Sequence, residues 1–198
     1  WIDPSIRLSK WAYVLGFWIG DGWVEGSRIA FAVENSMVEE FASRVRAMPN
    51  IELHVEARAV ADKGSQEVRC SSLLLAAILR SIFGEKPNAK TKFIPGEWIG
   101  SWSREARLEL LNGMIDSDGS LSEQDRHRRR YYYVTTSLTL ARGLLSLLRS
   151  LGVRGSINMR KPSEGGVVDG RQIVGGVSYS VHWSASALEG HQDGHYGH

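Results

Sequence analysis

The chain has 198 residues, 42% apolar and 23% charged, with a formal net charge of +2, ordinary values for a folded protein with a real core. One cysteine, Cys70, excludes an internal disulfide and fits a reducing intracellular setting, nuclear or cytoplasmic, and no secretory leader is visible. The near-neutral total does not by itself point to nucleic acid, and the apolar run at 12–20 is far shorter than the ~20 residues that cross a bilayer.

In chain order, the first predicted element is a helix within WAYVLGFWIGDGW (11–23), with no polar face before Asp21. A helix apolar all round must be buried on all sides. RIAFAVENS (28–36) reads as a strand, and SMVEEFASRVRAM (36–48) as a helix with Ser36 as its N-cap. IELHVEARAV and QEVRCSS form a hairpin, SSLLLAAILRSIFG (71–84) a closing helix, and GEWIGSWS (96–103) a Trp/Gly-rich connector.

The same series then recurs. VLGFWIGDG (14–22) aligns with LNGMIDSDG (111–119) at an offset of 97, superposing Gly16 on Gly113, Asp21 on Asp118 and Gly22 on Gly119. RRYYYVTTS (129–137) matches the first strand, SLTLARGLLSLLRSLG (137–152) the second helix, and VRGSINMR with RQIVGGVSYSVHWSA the second hairpin. The four extra residues of the second copy fall in the loop SEQDRHRRR, where insertions are tolerated. After the last strand only SASALEGHQDGHYGH remains, so the closing helix of the second copy is shortened or missing.

Gly16 and Gly20 share a helix face, and Gly113 and Ser117 repeat the spacing. Small residues so placed let two backbones approach closely, and glycine inside a helix costs roughly 0.5–1 kcal/mol relative to alanine. The natural partners are the two motif helices themselves. Each then ends in a carboxylate followed by a glycine placed to terminate it as the C′ residue. An acid is the wrong charge at the negative end of the helix dipole, and two such acids side by side repel. A divalent cation held by one or two carboxylates with water and phosphate oxygens accounts for both; the competing reading is a pair of ordinary turn aspartates. Asp116 faces Ile19 in the alignment and reads as a structural acid.

These segments resemble the paired motifs of the LAGLIDADG homing endonucleases, over roughly residues 11–184. LNGMIDSDG is a close match, while VLGFWIGDG and KTKFIP (90–95) are similar to blocks of the endonuclease domains carried in inteins. The resemblance implies an α+β fold of two pseudo-symmetric αββαββα halves, 1–95 and 104–198, joined by the connector 96–103. The motif helices would pack at the seam, and the antiparallel sheets would form a DNA-binding saddle. It further implies a monomer that cuts double-stranded DNA at a long asymmetric site, using Mg²⁺ for which Mn²⁺ can substitute. Asp21 and Asp118, with Gly20 and Ser117 beside them, would hold metal, and Lys92 would assist cleavage.

The DNA-binding candidates are Arg28, Arg58, Arg69, Arg126, Arg128, Arg129, Arg130, Tyr132, Arg154 and Arg160, because arginine suits phosphates and guanine edges through paired hydrogen bonds. RHRRR (126–130) reads equally as a solvated turn, and the tyrosines at 131–133 equally as core. The second half has no clear counterpart of Lys92; Lys161 is a weak candidate. A non-cleaving nucleic-acid binder, either a decayed endonuclease or an RNA-splicing maturase, is therefore the alternative. His191, His195 and His198 read as solvated rather than metal-binding, and GVVDGRQIVGG (166–176) as a hairpin.

Overall fold

The computed structural model describes residues 4–48, 54–59, 64–122, 129–161, 166–168, 171–173 and 176–185. Arg126, Arg128 and the three C-terminal histidines lie outside them. The chain forms two compact units, residues 1–118 and 119–198. Among the described residues no helix is long and apolar enough to cross a membrane.

The first unit opens with α1 (Pro4–Asp21), then β1 (Gly22–Glu25), β2 (Arg28–Glu34), a 3₁₀ turn (Asn35–Met37) and α2 (Val38–Arg46). β3 (His54–Ala59), β4 (Ser65–Ser71), α3 (Leu73–Phe83), α4 (Gly96–Ser101) and α5 (Arg104–Asp118) complete it. All four strands join one antiparallel sheet in the order β1-β2-β4-β3. Ile29, Phe31 and Val33 of β2 and Val68 and Cys70 of β4 are buried on one face, the alternation expected of a sheet with one side on a core. Phe17 of α1, Phe31 and Phe41 of α2 meet there, with Phe17–Phe41 centroids 4.2 Å apart. Each such side chain contributes roughly 1.5–3 kcal/mol by burial.

The second unit holds β5 (Gly119–Ser122), β6 (Arg130–Thr135), α6 (Leu138–Ser150), β7 (Gly155–Arg160), β8 (Gly166–Val168), β9 (Arg171–Ile173) and β10 (Ser178–Ser184). Its main sheet runs β5-β6-β10-β7, the same order as the first, and β8 and β9 pair separately as the hairpin expected at 166–176. α6 buries Leu140, Leu144, Leu147 and Leu148, and the sheet buries Tyr133, Val181 and Trp183. The architecture is thus α+β with two antiparallel sheets of identical strand order.

Three local expectations change. Ser137 caps α6, accepting from the Leu140 N–H at 3.1 Å, but Ser36 does not cap α2. There the chain first tightens into the 3₁₀ turn, which places Ser36 inside it. RQIVGGVSYSVHWSA is two strands rather than one, β9 pairing with β8 and β10 starting only at Ser178. Finally, Gly22 and Gly119 are not left-handed helix ends: the described glycines with positive φ are Gly26, Gly84 and Gly152. Gly22 opens β1 directly, and its constraint is space, since a Cβ would lie 2.2 Å from Trp18 Cδ1.

Candidate metal and nucleic-acid site

α1 and α5 lie together with their backbones in contact. A Cβ on Gly16 would stand 2.1 Å from the Leu110 carbonyl oxygen, and one on Gly113 would stand 2.0 Å from that of Tyr13. A turn further on, a Cβ on Gly20 would meet Ser117 Oγ at 2.1 Å and Asp118 Oδ2 at 3.2 Å. The helices run parallel, so both terminal aspartates arrive at the same end. Across the seam the Tyr13 hydroxyl donates to Asp116 Oδ2 at 2.7 Å, and the Arg44 guanidinium lies 4.2 Å over the Tyr13 ring. Asp116 is therefore a seam acid. A cleft of about 230 Å³ lined by Ser9, Lys10, Tyr13, Arg44 and Glu109 adjoins the first half of α1, away from the motif carboxylates.

Asp21 is half-buried and Asp118 exposed. Burial, and next the charge of Asp118, raise the Asp21 carboxyl to about 6, with Lys92 opposing. Lys92, in the loop before α4, is 3% exposed, and burial lowers its ammonium to about 8 against the pull of Asp118 and Asp21. Its Nζ donates to the carbonyls of Trp18 (2.7 Å), Gly20 (3.0 Å) and Gly22 (2.6 Å). Ser117 Oγ donates to the Met114 carbonyl at 3.0 Å.

Among the described residues no group of three or more His, Cys, Asp or Glu is arranged for a metal. The donor set at the helix ends is two carboxylates that repel each other. That suits Mg²⁺ or Mn²⁺, hard cations that keep waters and take phosphate oxygens from a substrate; it does not suit a closed structural site.

The remaining candidates divide between the sheets. Strand residues opposite one another share a face, so Ser120, Tyr132, His182 and Ser156 form one row of the second sheet, flanked by Arg130 opposite Ser122 and Ser184, and by Arg160 opposite Ser178. Tyr132 stacks on His182, while Tyr131 stacks on Trp183 on the opposite face, where Tyr133 is buried. Arg129, Arg130, Arg154, Arg160 and Lys161 are exposed. Lys161 follows β7 and so holds no position like that of Lys92. In the first sheet Arg28 is exposed at the start of β2, and Arg58 lies in β3 in register with Glu67. Arg69 is held by Glu67 through a two-armed ion pair, its Nη2 at 3.0 Å from Oε2. His182 was not among the sequence candidates. The alternation of SYSVHWS shows it, because inward Val181 and Trp183 turn His182 outward.

Residues 105–180 match the family model of the LAGLIDADG-like domain. The chain is 30% identical over 178 residues to the ATP-dependent DNA helicase Hel308 of Thermococcus kodakarensis, a match taking in 83% of this chain but only 15% of the length of that relative. The homing endonuclease I-DmoI in complex with DNA and Mn superposes with a TM-score of 0.62 at 16% identity, over 97% of this chain and 99% of that one. I-DmoI with DNA and Ca gives 0.62 at 16% identity, over 92% and 87%. The N-terminal LAGLIDADG domain of DUF199/WhiA gives 0.53 at 12% identity, over 89% and 75%. The chain therefore carries a LAGLIDADG-like domain and has the fold of the homing endonuclease I-DmoI.

Proposed function

We propose that the protein is a site-specific DNA endonuclease that hydrolyses phosphodiester bonds in both strands of a long asymmetric duplex site. A divalent cation, Mg²⁺ or Mn²⁺, would be held by Asp21 and Asp118. The observation that carries this reading is the convergence of those two carboxylates at the ends of two helices in backbone contact, with burial and then Asp118 raising the Asp21 carboxyl. Packing gives no reason for that arrangement, since helix dipole and neighbouring charge both disfavour it. A bound divalent ion would polarise the phosphoryl group, acidify water and stabilise the leaving oxygen.

The chain's own residues then have separable tasks. Asp21 and Asp118 supply the charged oxygens, and the Gly20 carbonyl and Ser117 hydroxyl lie beside them. Lys92 holds a positive charge under the end of α1. Arg130, Tyr132, Arg154 and Arg160 take phosphates and base edges, joined by Arg28, Arg58, Arg69, Arg126, Arg128 and Arg129. Two non-identical halves in one chain suit a monomer on a non-palindromic site. I-DmoI, of like fold, has been crystallised with DNA and Mn, Ca or Mg. The match to a small share of a long helicase chain favours an endonuclease segment carried within a host protein, as in inteins.

A second reading, a non-cleaving nucleic-acid binder, is favoured by the lack of any lysine after Lys161 to match Lys92. One assay separates them. The purified chain is incubated with Mg²⁺ or Mn²⁺ and a DNA library that includes host insertion sites. Cutting is expected, lost in Asp21→Asn and Asp118→Asn with DNA binding retained. Binding without any cutting or nicking under either ion would replace the first reading with the second.

A further inference from the structure

The sequence offers Lys92 as a basic group acting at the scissile phosphate, yet its surroundings give it a different task. The side chain is 3% exposed, and its ammonium lies 4.8 Å from the Trp18 ring centroid. Three N–H groups meet three carbonyls, those of Trp18, Gly20 and Gly22. A lysine ammonium has three protons to give. The last carbonyls of a helix have no partners within it, and a cation there is favoured by the dipole.

The choice of carbonyls matters as much as their number. Gly20 and Gly22 flank Asp21, so one ammonium pins the carbonyl before and the carbonyl after the motif carboxylate. Trp18 anchors the same turn, with its ring against Phe83 (centroids 4.9 Å apart). The backbone carrying Asp21 is therefore fixed from within the protein.

We propose that Lys92 is a positioning residue: it caps the carboxyl end of α1 and fixes the peptide groups on either side of Asp21, thereby aiming that carboxylate, and it does not contact DNA. The effect on cleavage rests on the endonuclease reading; the capping itself does not.

Lys92→Met keeps the stem and removes the ammonium. In the metal-free, DNA-free chain, amide exchange at Gly20, Asp21, Gly22 and Trp23 is expected to speed up at least tenfold, with α6 unchanged. With target DNA and Mn²⁺, at a temperature where melting curves show the variant fully folded, single-turnover cleavage falls at least tenfold. DNA affinity stays within twofold, and the slope of log affinity against log salt does not change. A slope smaller by about 1, the signature of one lost phosphate contact, overturns the proposal, as does unchanged amide exchange or an unchanged rate.

Should Lys92→Met not fold, the native chain decides. Labelling with ¹⁵N-lysine together with ¹³C-carbonyl tryptophan and glycine must show the Lys92 ammonium coupled across hydrogen bonds to the three carbonyl carbons, and unmoved when DNA binds. A missing coupling or a shift on binding overturns the proposal. If the native chain cuts nothing, the endonuclease reading fails, while the measurements on protein alone still judge the cap.

Discussion

The two sheets have one topology and different chemistry. The strands of the first carry Glu25, Glu34, Glu56 and Glu67 against Arg28, Arg58 and Arg69, and Arg69 is already neutralised by Glu67. The strands of the second main sheet carry Arg130 and Arg160 and no acid. The helix ends differ likewise: Asp21 is half-buried over Lys92, while Asp118 is exposed. The two halves share strand order and meet through like helices, which packing enforces, and differ in surface charge. The second sheet is the stronger electrostatic anchor for a polyanion, and the first is balanced close to neutrality.

The largest expected effect is where the halves do not differ. Gly16→Val and Gly113→Val each drive a side chain into the main chain of the other helix, where no rotamer can yield. Each should cost at least about 3–5 kcal/mol, read as a lost or collapsed thermal transition; a tolerated valine at either position refutes the backbone contact. Next come the sheets. Arg130→Glu with Arg160→Glu should weaken DNA binding about 100-fold at moderate salt, and Arg28→Glu with Arg69→Glu less than about fivefold. Equal losses in fluorescence anisotropy titrations would erase the distinction drawn above.

Asp21→Asn should stabilise the metal-free protein at pH 7 by roughly 1–2 kcal/mol, discounted for solvent screening. The sign follows from the raised carboxyl. Its protonated form is favoured by folding, so that contribution is full below pH 3.8 and is lost as pH rises through about 6. Denaturant melts should show the gain at pH 7 and none near pH 3.5. Smallest is His182, whose imidazole is lowered by burial and then by Arg160 and Arg130. The unfolded chain takes up that proton first, so stability should decline as pH falls below 6.5. His182→Gln should flatten that decline slightly; an unchanged pH profile would mean that neither burial nor the arginines act on the imidazole.

Much of this was legible in the residues. The 97-residue repeat gave the paired helices, and Gly16 with Gly113 gave their contact, because only very close backbones require glycine inside a helix. Ser137 and the alternation in RRYYYVTTS gave the helix start and strand faces. What escaped depended on partners distant in sequence or on backbone atoms. Nothing in KTKFIP tells that Lys92 turns inward to three carbonyls about seventy residues earlier. Nor does DG say that Gly22 is there for Trp18 and not for a left-handed turn. Nor does the position of Arg69 reveal that Glu67, two residues away, already pairs with it.

The seam glycines have a further consequence. Gly16 meets Leu110 and Met114, and Gly113 meets Tyr13 and Phe17: shift either set by the repeat and it becomes the other. This reciprocity is that of a twofold dimer, in which one patch serves as its own complement, here written twice along a single chain. Each helix therefore already bears the surface that a copy of itself would fit. Joining both copies in one polypeptide fixes which helices meet, and leaves the two sheets able to carry different charges.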